Sequence, residues 1–365
     1  MSTHTYPALK NLLDDATVRQ LGQAMLEQQR QFNLNQFLQL CNSQLAQESI
    51  MRRVHTAAHA LAQCHPGPYH TLVDDLEAIG PTVPNAFCGM AMSACASLAG
   101  QWGKDEVLDA LRRLTRFGTS EFAIRPWVEQ HTDAVIAQCL KWTHHSDPHT
   151  RRLASEALRP RLPWGKRLDQ LAHPPERILP VLNALRNDSS AYVRKSVANT
   201  LNDLSRIHPE WLLDTLESWP LQEAHPRWVA KHALRTLIKA GHPRALALVG
   251  AQATEGISAT LHASINQLKI GDSTTLHMTI ASSAEHPQTL VVDYAVHYVK
   301  KNGRTNAKVF KLRTLTLAGG DTVMIDKTHA FAELSTRKHH PGTHRVELLI
   351  NGKTLASAVL NLNES

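Results

Sequence analysis

The chain has 365 residues, room for two domains of ordinary size, and its 42% hydrophobic and 19% charged content excludes a disordered chain. Its formal net charge of +7, with 22 His in reserve, favours a polyanionic partner. No run of 18 apolar residues exists to cross a membrane, and the five cysteines (Cys41, Cys64, Cys88, Cys95, Cys139) form no CxxC pair. With no basic-then-apolar leader in Met1–Lys10, these features predict reduced thiols and a cytoplasmic protein.

From about residue 12 to 250 apolar residues recur at helical spacing, as in Val107, Leu108, Leu111 and Leu114. Pro and Gly fall between these blocks, at Pro66-Gly67-Pro68, Pro81, Pro148, Pro174-Pro175, Pro209 and Pro226. The later part repeats itself. The segments beginning at Arg151, Arg194 and Ala230 align, each after a short polar helix-start signal, with a period of roughly 40 residues. That period predicts an all-α HEAT-like repeat solenoid over 1–254. In this alignment Arg152, Lys195 and Lys231 share one position and form a basic ladder, or else are ordinary solvated helix positions.

Two segments combine charge with apolar, aromatic text: Arg116 to Trp127 and Arg152 to Gly165. Both contain Ser-Glu followed by Arg-Pro, at Ser120-Glu121 and Arg125-Pro126, then at Ser155-Glu156 and Arg159-Pro160. Glu121 and Arg125, like Arg152 and Glu156, stand at i and i+4, the spacing of an intrahelical ion pair. Glu121 and Glu156 are about one repeat apart, so stacking draws the carboxylates together.

After Gly256 the period changes to alternating, β-rich segments: Ser258–Ser264, Thr274–Ala281, Thr289–Val299, Val309–Leu317, Asp321–Lys327, Thr343–Ile350 and Lys353–Leu362. Asn351-Gly352 reads as a hairpin turn. An all-β immunoglobulin-like sandwich over 255–365, without an intersheet disulfide, is expected. Beyond Gly256 it carries 12 Lys plus Arg against 8 Asp plus Glu, +4 of the total +7, concentrated in Lys300-Lys301-Asn302-Gly303-Arg304 and in Arg337-Lys338-His339-His340.

The stretches SEFAIRPW, RRLASEALRPRLPWG, VRKSVANTLNDLS and WVAKHALRTLIKAGHPRAL resemble the AlkC branch of the AlkC/AlkD DNA alkylation-repair glycosylases over roughly residues 1–250. Trp127 stands where Phe is common and Ala157 where Gly is common, and neither change removes a charge. The resemblance implies a glycosylase of base excision repair that releases N3-alkylated bases, 3-methyladenine and 3-methylcytosine, from double-stranded DNA. It implies Glu121, Glu156 and Asp203 as the acidic set and Trp164 as an aromatic wall. Asp203 lies one turn after Asn199, the repeat equivalent of Glu156. Arg152, Arg159, Arg161, Lys166, Arg194, Lys195, Lys231 and Arg235 are the expected phosphate ligands.

No cofactor, metal, membrane or obligate protein partner is expected, and a monomer associated with the nucleoid through DNA is. His55 and His59 have zinc-like spacing without a third ligand. His131-Thr132-Asp133 and His145-Ser146-Asp147 match an HxD core but sit in helical text, and no phosphate loop or nucleophile elbow occurs. The alternative is a non-enzymatic HEAT-repeat scaffold that binds nucleic acid or protein.

Overall fold

A computed structural model describes residues 9–43, 45–99, 103–251, 254–333 and 338–364. Arg337 and most of the segment read for a leader lie outside the described residues. The helices run α1 Asp15–Gln28, α2 Leu34–Asn42, α3 Ile50–Cys64, α4 Tyr69–Ile79, α5 Ala86–Leu98, α6 Lys104–Leu114, α7 Arg125–Gln130 and α8 Thr132–Trp142. They continue with α9 Pro148–Glu156, α10 Leu179–Leu185, α11 Ala191–Leu204, α12 Pro209–Glu217, α13 Ala224–Ala233, α14 Arg235–Lys239 and α15 Pro243–Leu248. The strands are β1 Ile257–Ala263, β2 Gln267–Lys269, β3 Ser273–Ser282, β4 Gln288–Val299, β5 Thr305–Leu317, β6 Thr322–Ala330, β7 Gly342–Ile350 and β8 Lys353–Asn363. The predicted succession of helices followed by a sandwich is the observed one. β2, too short to show alternation, adds to the seven strands expected.

The chain forms two compact units: Met1–His208 with Pro220–Ala233, and Pro209–Trp219 with Leu234–Ser365. In the first, each helix buries the stripe its periodicity marks: α6 buries Val107, Leu108, Leu111 and Leu114, and α11 buries Val193, Val197, Leu201 and Leu204. Helices α9, α11 and α13 pack side by side. Each is tied to the loop before it by one arginine. Arg151 donates to the carbonyls of His145 and Ser146 (2.9 and 2.8 Å), and Arg194 to those of Asp188 and Ser189 (2.6 and 2.9 Å). Arg227 donates to those of Leu221 and Gln222 (2.7 and 3.0 Å).

These arginines set the repeat register and correct the textual one. The third copy aligns at Arg227, almost one turn before Ala230. Trp228, not Lys231, therefore stands level with Arg152 and Lys195, and the expected basic ladder is broken at its third rung.

In the second unit a three-stranded sheet (β1-β3-β6) faces a five-stranded one (β2-β8-β7-β4-β5). Alternate residues of β3, among them Leu276, Met278 and Ile280, meet Leu290, Val292, Tyr294, Val346, Leu348 and Leu360 in a single core. The β7–β8 turn has Asn351 and Gly352 both at positive φ (48° and 77°), the two-residue hairpin geometry that Asn-Gly supplies. Helices α12, α14 and α15 cluster in this unit with the strands.

Candidate active site

Glu121 does not lie on a helix. It occupies a turn ahead of α7, because Pro126 takes a first-turn position where its missing N–H is not needed. That turn is pressed against α5 backbone to backbone. A Cβ on Gly89 would lie 2.2 Å from the Phe117 carbonyl oxygen, and one on Gly118 would lie 2.5 Å from that of Ala86. Beside this contact the fully buried Ser120 hydroxyl donates to the Leu111 carbonyl (2.7 Å) and lies 3.0 Å from Ser93 Oγ. Small residues on α5 thus fix the backbone that aims Glu121.

The three acidic residues are brought together, and two arginines are threaded between them. Arg152 pairs with Glu121 and, at 3.5 Å, with Glu156. Arg159 reaches Glu156 at 2.7 Å and grips Asp203 with two nitrogens, at 2.9 and 3.3 Å. The row runs Glu121, Arg152, Glu156, Arg159, Asp203. Hydroxyls complete it: Thr119 donates to Glu121 (2.7 Å) and Ser196 to Glu156 (2.6 Å). Glu156 is 3% exposed, Glu121 and Asp203 8%.

Burial pushes the Glu121 carboxyl above the usual glutamate range, with neighbouring Glu156 adding to the rise and Arg152 opposing it. Burial also opposes the charge on Arg152 and Arg159, but their carboxylate partners outweigh it and hold both firmly protonated. Taking such charges out of water costs several kcal/mol per ion, and an apolar replacement is often as stable. Stability alone does not account for the row.

Trp164 is 63% exposed and sits at φ +65°, a left-handed backbone that bulky residues avoid. It rides on the segment that follows Arg159, closed by hydrogen bonds from Gly165 N to Leu162 O (3.0 Å) and from Leu168 N to Pro160 O (3.1 Å). Arg125, 4% exposed, does not make the expected ion pair with Glu121. It donates instead to the carbonyls of Arg159 (3.1 Å) and Lys166, and burial, with Arg159 next to it, lowers its pKa to about 10.

The expected phosphate ligands divide. Arg152 and Arg159 are turned inward onto carboxylates, so a phosphate role does not fit them: leaving the row would strand buried anions. Lys195 is exposed, and Arg161 is half-buried. Lys166 is exposed and paired with Glu129. Arg194 holds loop carbonyls and lies 5.8 Å from the Trp228 ring centroid. Lys231 is half-buried on α13, and Arg235, also half-buried, belongs to the second unit.

Sequence reasoning missed Tyr192, which lies 5.3 Å beneath the Arg152 guanidinium with its ring 5.6 Å from His149. Its place three residues before the repeat lysine was the available signal. Ser196 and Thr119 carried none. His55 and His59 are exposed on α3, and among the described residues no group of three or more His, Cys, Asp or Glu is placed to share a metal ion. Among the same residues no helix is long and apolar enough to cross a membrane.

Comparison with known proteins agrees with both halves of the molecule. Residues 87–237 match the family model described as a DNA alkylation repair enzyme, and residues 258–364 match the C-terminal Ig-like domain of the uncharacterised protein YhaZ. YhaZ of Bacillus subtilis is 35% identical over 94% of this chain and 96% of its own length. The Pseudomonas fluorescens alkylpurine DNA glycosylase AlkC, solved bound to DNA containing an abasic site analog, superposes with a TM-score of 0.92. It is 37% identical over 98% of this chain and 100% of its own. The chain belongs to the AlkC branch of the AlkC/AlkD DNA alkylation-repair glycosylases.

Proposed function

We propose that the protein binds duplex DNA as a monomer at the nucleoid and hydrolyses the N-glycosidic bond of cationic N3-alkylated bases, 3-methyladenine and 3-methylcytosine. Membership of the family makes it an alkylated-base glycosylase. The observation that carries the reaction is the row Glu121, Glu156 and Asp203, assembled from three segments, with an exposed, strained tryptophan on the segment that follows Arg159.

An N3-alkylated base is already a cation, so its C1′–N bond breaks without a proton donor. The bonding electrons go to the base, which leaves neutral, while positive charge develops on the sugar. Fixed carboxylates stabilise that charge. One of them accepts the proton of the water that adds to C1′. Trp164 offers a π-face to the cationic base, a contact worth about 0.5–2 kcal/mol that a neutral base does not gain. Tyr192 and Trp228, each with a guanidinium over its ring, extend the cation-and-aromatic surface along α11 and α13.

The test is incubation with methylated duplex DNA followed by chromatography of released bases. Free 3-methyladenine and 3-methylcytosine are expected. Tight DNA binding without any released base would return the chain to the scaffold reading.

Phosphate contacts beyond the helical unit are assigned to the β4–β5 hairpin tip, where Lys300, Lys301 and Arg304 are all exposed. Truncation near Gly256 tests this poorly, because Lys239 donates to the Val309 carbonyl and Ala251 bridges to Thr289. Replacing the three tip charges by Gln should instead flatten the salt dependence of DNA binding. The slope of log affinity against log salt should fall by up to about 0.9 for each phosphate no longer neutralised. An unchanged slope removes the tip from the interface.

A further inference from the structure

We infer that Arg125 is a positioning residue that sets the catalytic geometry of Trp164 through the main chain. This rests on the function proposed above, in which Trp164 faces the reacting base.

The guanidinium of Arg125 spans the two ends of one short loop. It donates to the Arg159 carbonyl, where the loop leaves the carboxylate row, and to the Lys166 carbonyl, where the loop ends. Between these two anchors lies Trp164. The stem of the arginine runs under the same loop: a Cβ on Gly165 would lie 3.3 Å from Arg125 Cδ. Glycine next to the tryptophan therefore lets the chain lie down on the arginine.

The cost of this arrangement is evident. Arg125 is buried, pairs with carbonyls rather than a carboxylate, and leaves its Nε with no hydrogen-bond partner among the described residues. An apolar side chain of similar volume would fill the space at lower cost. What an apolar side chain cannot do is bridge two carbonyls. A lysine, a point donor on a flexible stem, cannot hold both in one plane either. Trp164 needs such a clamp. Its φ of +65° is unfavourable for a bulky residue, and its exposed ring has little packing to hold it there. Arg125 supplies from below the restraint that solvent cannot supply from above.

The closing experiment is a double-mutant cycle on single-turnover base excision, with Arg125→Lys and Trp164→Ala made singly and together. A misplacement of about 1 Å can lower a rate by up to about 10²-fold. Arg125→Lys should lower excision in the wild-type background by a factor that approaches, and does not exceed, that of Trp164→Ala, and should have almost no further effect once Trp164 is Ala. A factor equal in both backgrounds would show general support of the fold and overturn the proposal. So would an unchanged rate in Arg125→Lys, or in Trp164→Ala alone.

Hydrogen exchange separates this outcome from failure of the functional reading. The amides of Gly165 and Leu168, which close the loop, should exchange faster in Arg125→Lys and in Arg125→Met, while α9 and α11 stay protected. If the loop amides do not change, Arg125 does not order the loop, whatever the activity. If wild type releases no base but the loop amides do change, the glycosylase reading has failed and the clamp has not.

Discussion

The helical unit and the sandwich both bury polar side chains, and they meet the desolvation penalty in opposite ways. In the sandwich the buried groups are mostly rings and hydroxyls. The ring of His329 is held between two hydroxyls, Tyr294 at 3.0 Å from Nδ1 and Tyr298 at 2.9 Å from Nε2, and burial holds His344 below the usual histidine range. Even Asp293 on β4 has its carboxyl pushed upward by burial. The helical unit buries a row of acidic and basic side chains and interleaves them, carboxyl with guanidinium, from Glu121 to Asp203. A ring with both nitrogens hydrogen-bonded, as in His329, serves a core at little cost. Charges kept at such cost point to a use for charge.

The largest effect that should separate the regions is at Glu156. Glu156→Gln keeps the shape and most hydrogen bonds but removes the charge, and excision should fall by roughly 10²–10³ while abasic-analog DNA is still bound. Equal base release by this variant would take Glu156 out of the mechanism. A pH profile comes next. Burial disfavours the ionised form of Glu121, so protonation sets in above the ordinary glutamate value as pH falls. Excision should then decline about tenfold per pH unit on an acid limb placed above pH 4.5, and Glu121→Gln should lack that limb. The sign for stability is the reverse of the usual carboxylate. A raised folded pKa means ionisation of Glu121 lowers stability as pH rises through that window, so Glu121→Gln should melt no lower than wild type at neutral pH. Trp164→Ala should cost about 2- to 30-fold in excision of cationic bases, and its exposure should leave the melting temperature almost unmoved.

How far these contrasts could be read beforehand depends on what sets each feature. Periodicity is local, so the apolar stripes of α6 and α11 and the alternation of β3 were readable, and the Asn351-Gly352 turn was plain. The approach of Glu121 and Glu156 was readable because stacking repeats bring equivalent positions together, whereas Asp203 entered through the family resemblance. Burial is not local, and there the reading failed. Charge alone assigns Arg152 and Arg159 to phosphate, although their i+4 and i−3 spacing to Glu156 already offers the carboxylate as partner. Spacing alone puts Glu121 and Arg125 on one helix, although Pro126 marks a helix start just before it. The third repeat slips by nearly a turn because apolar matches outvote the loop-capping arginine at 227.

The smallest expected effect is also the sharpest check of the contrast, because it predicts a change in one quantity and none in another. Tyr298→Phe removes the hydroxyl that meets Nε2 of the buried His329 ring. Stability should fall by about 1–3 kcal/mol, read as a lower urea midpoint with an unchanged slope. The single-turnover excision rate of the folded fraction should stay within about twofold, because a neutral hydrogen bond in a core contributes nothing to a charge developing on a sugar. A rate that fell with the midpoint would mean that the sandwich core feeds the chemistry. The division between buried neutrality for structure and buried charge for catalysis would then have to be abandoned.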